Sequence, residues 1–201
     1  TDEGRGKDLN VHADHPLMNA SVYGDGIITN KNAIGCIKVL MDDETIDVEQ
    51  NVATFGARSF SIWNASGDQV FDSGSQLSDI ANTNSHFNTS NDAQENDNRS
   101  DDKGVEPEAV EVAVINGATI GFIGLERHGG VAAYDLSVPT APVFLDYINN
   151  RDFTADVCTQ VDEDGECDNG VYNSAAGDLG PESIEYFTRD GKHFIAVGNE
   201  V

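Results

Sequence analysis

Glu106-Pro-Glu-Ala-Val-Glu-Val-Ala-Val-Ile-Asn-Gly-Ala-Thr-Ile-Gly-Phe-Ile-Gly-Leu-Glu126 is the stretch whose reading decides the fold, and the chain contains it twice. The second copy is Gly180-Pro-Glu-Ser-Ile-Glu-Tyr-Phe-Thr-Arg-Asp-Gly-Lys-His-Phe-Ile-Ala-Val-Gly-Asn-Glu200. The offset is 181 − 107 = 74 residues at the Pro-Glu pair and 200 − 126 = 74 at the closing Glu, with no gap between. Asn116-Gly117 and Asp190-Gly191 each sit between two apolar runs, the pattern of a type I′ hairpin turn, which needs positive φ at both central positions. A two-residue turn sets the register. Ile115 then faces Ala118, Glu108 faces Leu125 and Glu126 lies opposite Pro107. Each hairpin is therefore expected to carry carboxylates at one rim, Glu108 and Glu126 in the first copy and Glu182 and Glu200 in the second.

Working outward, Gly129-Gly130 turns the chain into Val131–Leu136, and Ser137–Pro142 turns it again into Val143–Ile148. Residues 106–148 thus predict a four-stranded antiparallel meander in 43 residues, the length and strand count of a propeller blade. Before it, Thr54–Trp63 alternates, with Phe60 and Ile62 on one face. It turns at Asn64–Gly67 and returns as Gln69–Asp72. Ile34–Leu40 reads as a further strand. The expected fold class is all-β: a single, incomplete β-propeller domain over residues 1–201, with four-stranded antiparallel blades. Residues 1–33 read as an irregular N-terminal segment. Residues 77–104 and 149–178 read as long acidic loops or insertions.

The chain has 201 residues, with Asp+Glu 36 against Lys+Arg 11 and a formal net charge of −25. Such a surface disfavours nucleic acid and anionic membrane as partners and favours divalent cations; a generally solvated acidic surface is the plainer cause of the same composition. No run of about 18 apolar residues is present, so no membrane span is expected. The chain starts at Thr1 and stops in an apparent strand end, so the sequence reads as one piece of a larger protein.

Chemistry is concentrated in oxygen ligands. In a propeller the first strand of each blade lines the central channel, so Glu108 and Glu182 would converge there, with Glu126 and Glu200 on the same rims as further metal candidates. Carboxylates crowded in one place repel unless a cation or proton compensates, and hard oxygen donors suit Ca²⁺ or Mg²⁺. Asp162-x-Asp164-Gly-x-x-Asp168 is a second candidate for Ca²⁺, although it lacks the full EF-hand pattern. Cys158 and Cys167 bracket that loop and are spaced to close a disulfide in an oxidising compartment; free thiols are the alternative. His12 and His15 flank Asp14 as a weaker metal pair. Arg127, Arg99 and Arg151 are candidates to hold an anion such as a phosphate-containing ligand, or else structural partners of carboxylates. No nucleophile motif is apparent, so hydrolysis would need metal-activated water.

Phe55–Trp63, Asp97–Gly104, Glu106–Val110, Phe122–Arg127, Gly130–Asp135, Phe144–Asp152 and Gly198–Val201 together resemble a secreted β-propeller family, choice-of-anchor I. Its members are often named alkaline phosphatase and are similar to mesenchyme-specific cell-surface glycoproteins. The resemblance implies a secreted, extracellular or periplasmic propeller of which this chain is the N-terminal part. The remaining blades are then expected from a partner chain or from a further portion of the protein. Two functions follow as expectations: a Ca²⁺-binding extracellular scaffold, or a metal-dependent phosphomonoesterase.

Overall fold

The computed structural model describes residues 6–8, 38–40, 55, 58–82, 86–90, 94, 96–97, 99–101, 104–161 and 167–200. The chain divides into two compact units, Thr1–Ala57 with Arg99–Lys103, and Arg58–Asn98 with Gly104–Val201. In the first unit β1 (Gly6–Asp8) pairs antiparallel with β2 (Lys38–Leu40), Gly6 opposite Leu40. β2 falls inside the expected strand at 34–40. β1 lies in a segment read as irregular, and three residues are too short for an alternation to register.

The second unit is built from antiparallel strands. β3 (Ser61–Trp63) and β4 (Gln69–Asp72) form a hairpin. Its turn is held by the Asn64 side chain, whose Oδ1 accepts from the Ser66 and Asp68 backbone N–H groups at 2.9 Å. β5 (Pro107–Ile115), β6 (Ala118–Leu125), β7 (Val131–Asp135) and β8 (Val143–Ile148) make a four-stranded sheet in chain order. This is the expected meander. β9 (Pro181–Arg189) and β10 (Lys192–Asn199) form the repeated hairpin. Both turns have the expected backbone: φ is +52° and +88° at Asn116 and Gly117, and +53° and +72° at Asp190 and Gly191.

The register departs from a regular ladder at one point in each copy. Pro107 pairs with Leu125 and Ala109 with Gly124, so Glu108 is a bulge residue rather than the partner of Leu125. Likewise Pro181 pairs with Asn199 and Ser183 with Gly198, so Glu182 is bulged. A bulge puts two residues opposite one and re-aims the side chain it carries. The repeat therefore extends to its irregularity. It extends further to the rim, where the Glu126 N–H donates to Glu106 O (2.8 Å) and the Glu200 N–H to Gly180 O (2.7 Å). Glu106 and Gly180, again 74 apart, both have positive φ.

The core of this unit gathers Leu77, Ala81, Val105, Ile123, Leu125, Ala132 and Tyr134. Burying Leu77, Leu125 or Ile123 contributes about 1.5–3 kcal/mol each. The Tyr134 ring meets Phe60 edge-on at 4.9 Å and Phe144 at 5.5 Å, tying the four-stranded sheet to the β3–β4 hairpin. Leu77 and Ala81 come from a helix, α1 (Gln76–Ala81), inside the segment expected as a loop. A six-residue helix offers barely one apolar turn, too little to stand out against the polar sequence that follows.

β9 lies against β5. A Cβ on Gly124 would meet Ala109 Cβ at 3.0 Å and Pro181 Cβ at 3.1 Å, so this glycine permits the close approach of the two repeats. Segment 149–178 is not a bare loop. Its ends are joined by the Asp152 N–H to Ala176 O bond (2.8 Å) and by Asn150 Nδ2 donating to Asp178 (2.6 Å). Val157, Cys167, Ala176 and Leu179 give it a small core, and Cys158 and Cys167 form the expected disulfide.

Candidate metal centre

Four elements deliver the rim carboxylates. Glu126 follows the end of β6, and Glu108 is the bulge in β5. Glu182 is the bulge in β9, and Glu200 follows β10. The result is a meeting point: one carboxylate oxygen each from Glu126, Glu182 and Glu200 lies within 4.8 Å of the others. Glu126 is buried, whereas Glu182 and Glu200 are exposed. Glu108 joins the group through a side-chain hydrogen bond with Glu126. Glu126, Glu182 and Glu200 thus come together from both copies of the hairpin, and Glu108, expected to converge with Glu182, reaches the group through Glu126.

Glu126 is in an unusual electrostatic position. Burial, the hydrogen bond with Glu108, and the nearby charges of Glu106 and Glu108 push its carboxyl up from 4.5 to about 8, against the pull of Arg127. Desolvation is the largest cause. Glu126 is therefore held in its protonated form at neutral pH, with its carboxyl hydrogen-bonded to Glu108. The donor set is all oxygen, without Cys or His, which fits Ca²⁺ or Mg²⁺.

The expected anion-binding arginines are engaged by the protein itself. Arg127 Nε donates to Glu106 Oε2 at 2.8 Å, and Nη2 to Glu126 Oε1 at 3.0 Å. Glu106, which the sequence reading passed over, is the bridge that orients this guanidinium. Arg151 is buried, and its acceptors include Arg127 O (3.0 Å), Ser90 O (2.8 Å) and Gln94 Oε1 (3.2 Å). Its guanidinium also lies 4.8 Å from the centre of the Phe153 ring. An anion would have to displace these partners: Arg127 sits in the arginine–carboxylate pairing given as the alternative, whereas Arg151 holds carbonyl oxygens of Arg127, Ser90 and Gln94. Arg99 is half-buried in the other unit.

The turn that carries Glu126 is rigidly held. Tyr147 Oη donates to Gly129 O (2.7 Å), Asn149 Nδ2 to His128 O (3.3 Å), and Arg151 to Arg127 O. His128 is fully buried, and burial, followed by the charges of Arg151 and His86, lowers it to about 4, so the ring is neutral. Tyr147 near the end of β8, and Asn149 and Arg151 just beyond it, alternate along the chain, a spacing that could have flagged them together. Of the second candidate set, Asp168 opens a 3₁₀ turn beside Cys167, and its N–H donates to Gln160 O (2.9 Å). Asp162 and Asp164 lie outside the described residues, as do His12 and His15.

Residues 1–139 match the family model described as the choice-of-anchor I domain. The chain belongs to the choice-of-anchor I family. No curated protein or solved structure matches it. In this choice-of-anchor I chain the matched residues include Glu108 and Glu126, while Glu182 and Glu200 lie in the second hairpin beyond them.

Proposed function

We propose that the chain is part of an extracellular β-propeller that binds one divalent cation, Ca²⁺ or Mg²⁺, through carboxylates of two successive blades, and that it serves as a binding or scaffold module. The observation that carries this reading is the meeting of Glu126, Glu182 and Glu200 within 4.8 Å. Two copies of one hairpin, each with the same bulge, converge on that point. Three anionic carboxylates at such a distance repel unless a proton or cation lies among them. The propeller reading is supported by the four-stranded sheet, the 74-residue repeat and the packing of β9 against β5. The extracellular reading is supported by the Cys158–Cys167 disulfide, since such bonds persist in oxidising compartments.

Metal-dependent phosphomonoester hydrolysis is the competing reading, and the engagement of Arg127 by Glu106 and Glu126 weighs against it. Isothermal titration with Ca²⁺ and Mg²⁺ tests the proposal, using the native chain and a Glu182→Gln/Glu200→Gln variant. Heat from one site in the native chain, lost in the variant, is the expected result. Equal titration of both would refute the site. Hydrolysis of an aryl phosphate that depends on Ca²⁺ and is lost in the same variant would favour the enzyme.

A further inference from the structure

We infer that the Cys158–Cys167 disulfide is a redox latch on the cation site: closed, it holds Glu182 and Glu200 against Glu126, and its reduction releases them. The inference rests on the cation site proposed above and adds how that site is regulated.

The latch sits in the insertion that joins the two copies of the hairpin. At the start of the insertion, Asn149 and Arg151 donate to the carbonyls of His128 and Arg127, beside Glu126. At its end, Leu179 leads through Gly180 and Pro181 to Glu182. Gly180 O accepts the Glu200 N–H at 2.7 Å, so both exposed carboxylates hang on this one short segment. Leu179 is anchored by the insertion itself, in a small core with Val157, Cys167 and Ala176. Cys167 is therefore both half of the disulfide and part of the wall that seats Leu179. The backbone bridges Cys158–Tyr172 and Val161–Cys167 draw the same stretches together. A segment of this length buries too little apolar surface to stay closed without a cross-link.

Two features make the bond labile. Cys158 is only half-buried, and Thr159, Gln160 and Val161 after it are exposed, so a thiol can approach from this side. The ring that the bond closes contains Asp162, Glu163, Asp164 and Glu166, and no Lys or Arg. Closing the ring confines like charges and opening it relieves their repulsion, which favours the reduced form. The reductant is a dithiol. It supplies two electrons and two protons, the S–S bond becomes two thiols, and the dithiol closes to its own disulfide.

The test compares the native chain oxidised and after treatment with dithiothreitol, by hydrogen exchange and by calorimetric titration with Ca²⁺. Reduction should speed exchange at the Glu182, Ser183 and Glu200 amides about tenfold or more beyond any change at Val110–Val114. It should also weaken Ca²⁺ binding about tenfold or more. A Cys158→Ser/Cys167→Ser variant should reproduce both effects without reductant. An Asp162→Asn/Glu163→Gln/Asp164→Asn variant should need about tenfold more reductant in a glutathione buffer to open the bond. Equal ease of reduction would overturn the labile bond. Exchange unchanged at Glu182, Ser183 and Glu200 would overturn the latch, and so would equal acceleration at Val110–Val114, which would make the bond a general staple. An oxidised chain that takes up no Ca²⁺ would refute the cation site instead, while the exchange result would still decide whether the bond holds those residues.

Discussion

Replacing Glu126 by Gln isolates the electrostatic feature on which the rim depends. In the unfolded chain this carboxyl ionises near 4.5, and in the folded chain near 8. Below pH 4.5 both states hold the proton and stability does not depend on it. Between the two values the unfolded chain releases the proton while the folded chain keeps it, so stability falls as pH rises. The fall ends once the folded carboxyl also ionises. At about 1.4 kcal/mol for each tenfold change in acidity, the loss approaches roughly 5 kcal/mol above pH 8. Relaxation around the ionised carboxylate recovers part of this, so about 3–5 kcal/mol is the expected range. The Gln amide has no proton to lose, and it still presents a donor toward Glu108 and an oxygen toward Arg127. Urea unfolding of both proteins in chelator, at pH 4.5 and pH 8.5, reads the difference, and other titrating groups cancel. The variant should gain about 3–5 kcal/mol on the native chain between these pH values, or roughly 8–15 °C in melting temperature. Stability profiles that run parallel across the range would refute the idea that Glu126 holds a buried proton.

Arg151→Ala removes the hydrogen bonds to Arg127 O, Ser90 O and Gln94 Oε1 from a buried guanidinium and leaves those oxygens without this donor, so a loss of about 3 kcal/mol in urea stability is expected, with weaker cation binding in calorimetry. Reduction of Cys158–Cys167 should lower stability by about 2–3 kcal/mol, measured by thermal unfolding with and without a thiol reductant. Gly124→Val forces a side chain into Ala109 and Pro181, so it should cost about 1–3 kcal/mol. It should also loosen Glu182 and Glu200 from Glu126, seen as weakened cation binding beyond what lost stability explains.

The hairpins were legible because their signals are local. An Asn-Gly or Asp-Gly pair leaves a turn little choice, and the strands on either side follow to within a residue. The four-stranded meander was legible for the same reason, with turn residues at each corner. The bulges at Glu108 and Glu182 were not. A bulge is set by how the strand end meets the neighbouring repeat, and sequence alternation continues smoothly across it. The bulge also explains why counting residues from the turn located the carboxylates on the right rim but with the wrong partners.

Helix α1 escaped notice because Leu77 and Ala81 are buried by residues far along the chain, Tyr134 and Leu125 among them, rather than by local periodicity. The role of Arg151 was ambiguous for a related reason. An arginine that holds carbonyls and one that holds an anion have the same sequence signature, and only the positions of Ser90, Gln94 and Arg127 decide between them. Glu106 was overlooked because it precedes the strand, yet its carboxylate is what orients Arg127.

The claim that two repeats share one cation is tested most directly by a crystal structure of the chain grown with Mn²⁺, with anomalous scattering collected to locate the ion. The account predicts a single strong anomalous peak bounded by carboxylate oxygens of Glu126, Glu182 and Glu200. A peak elsewhere with that cluster empty, or no peak at saturating Mn²⁺, would contradict it.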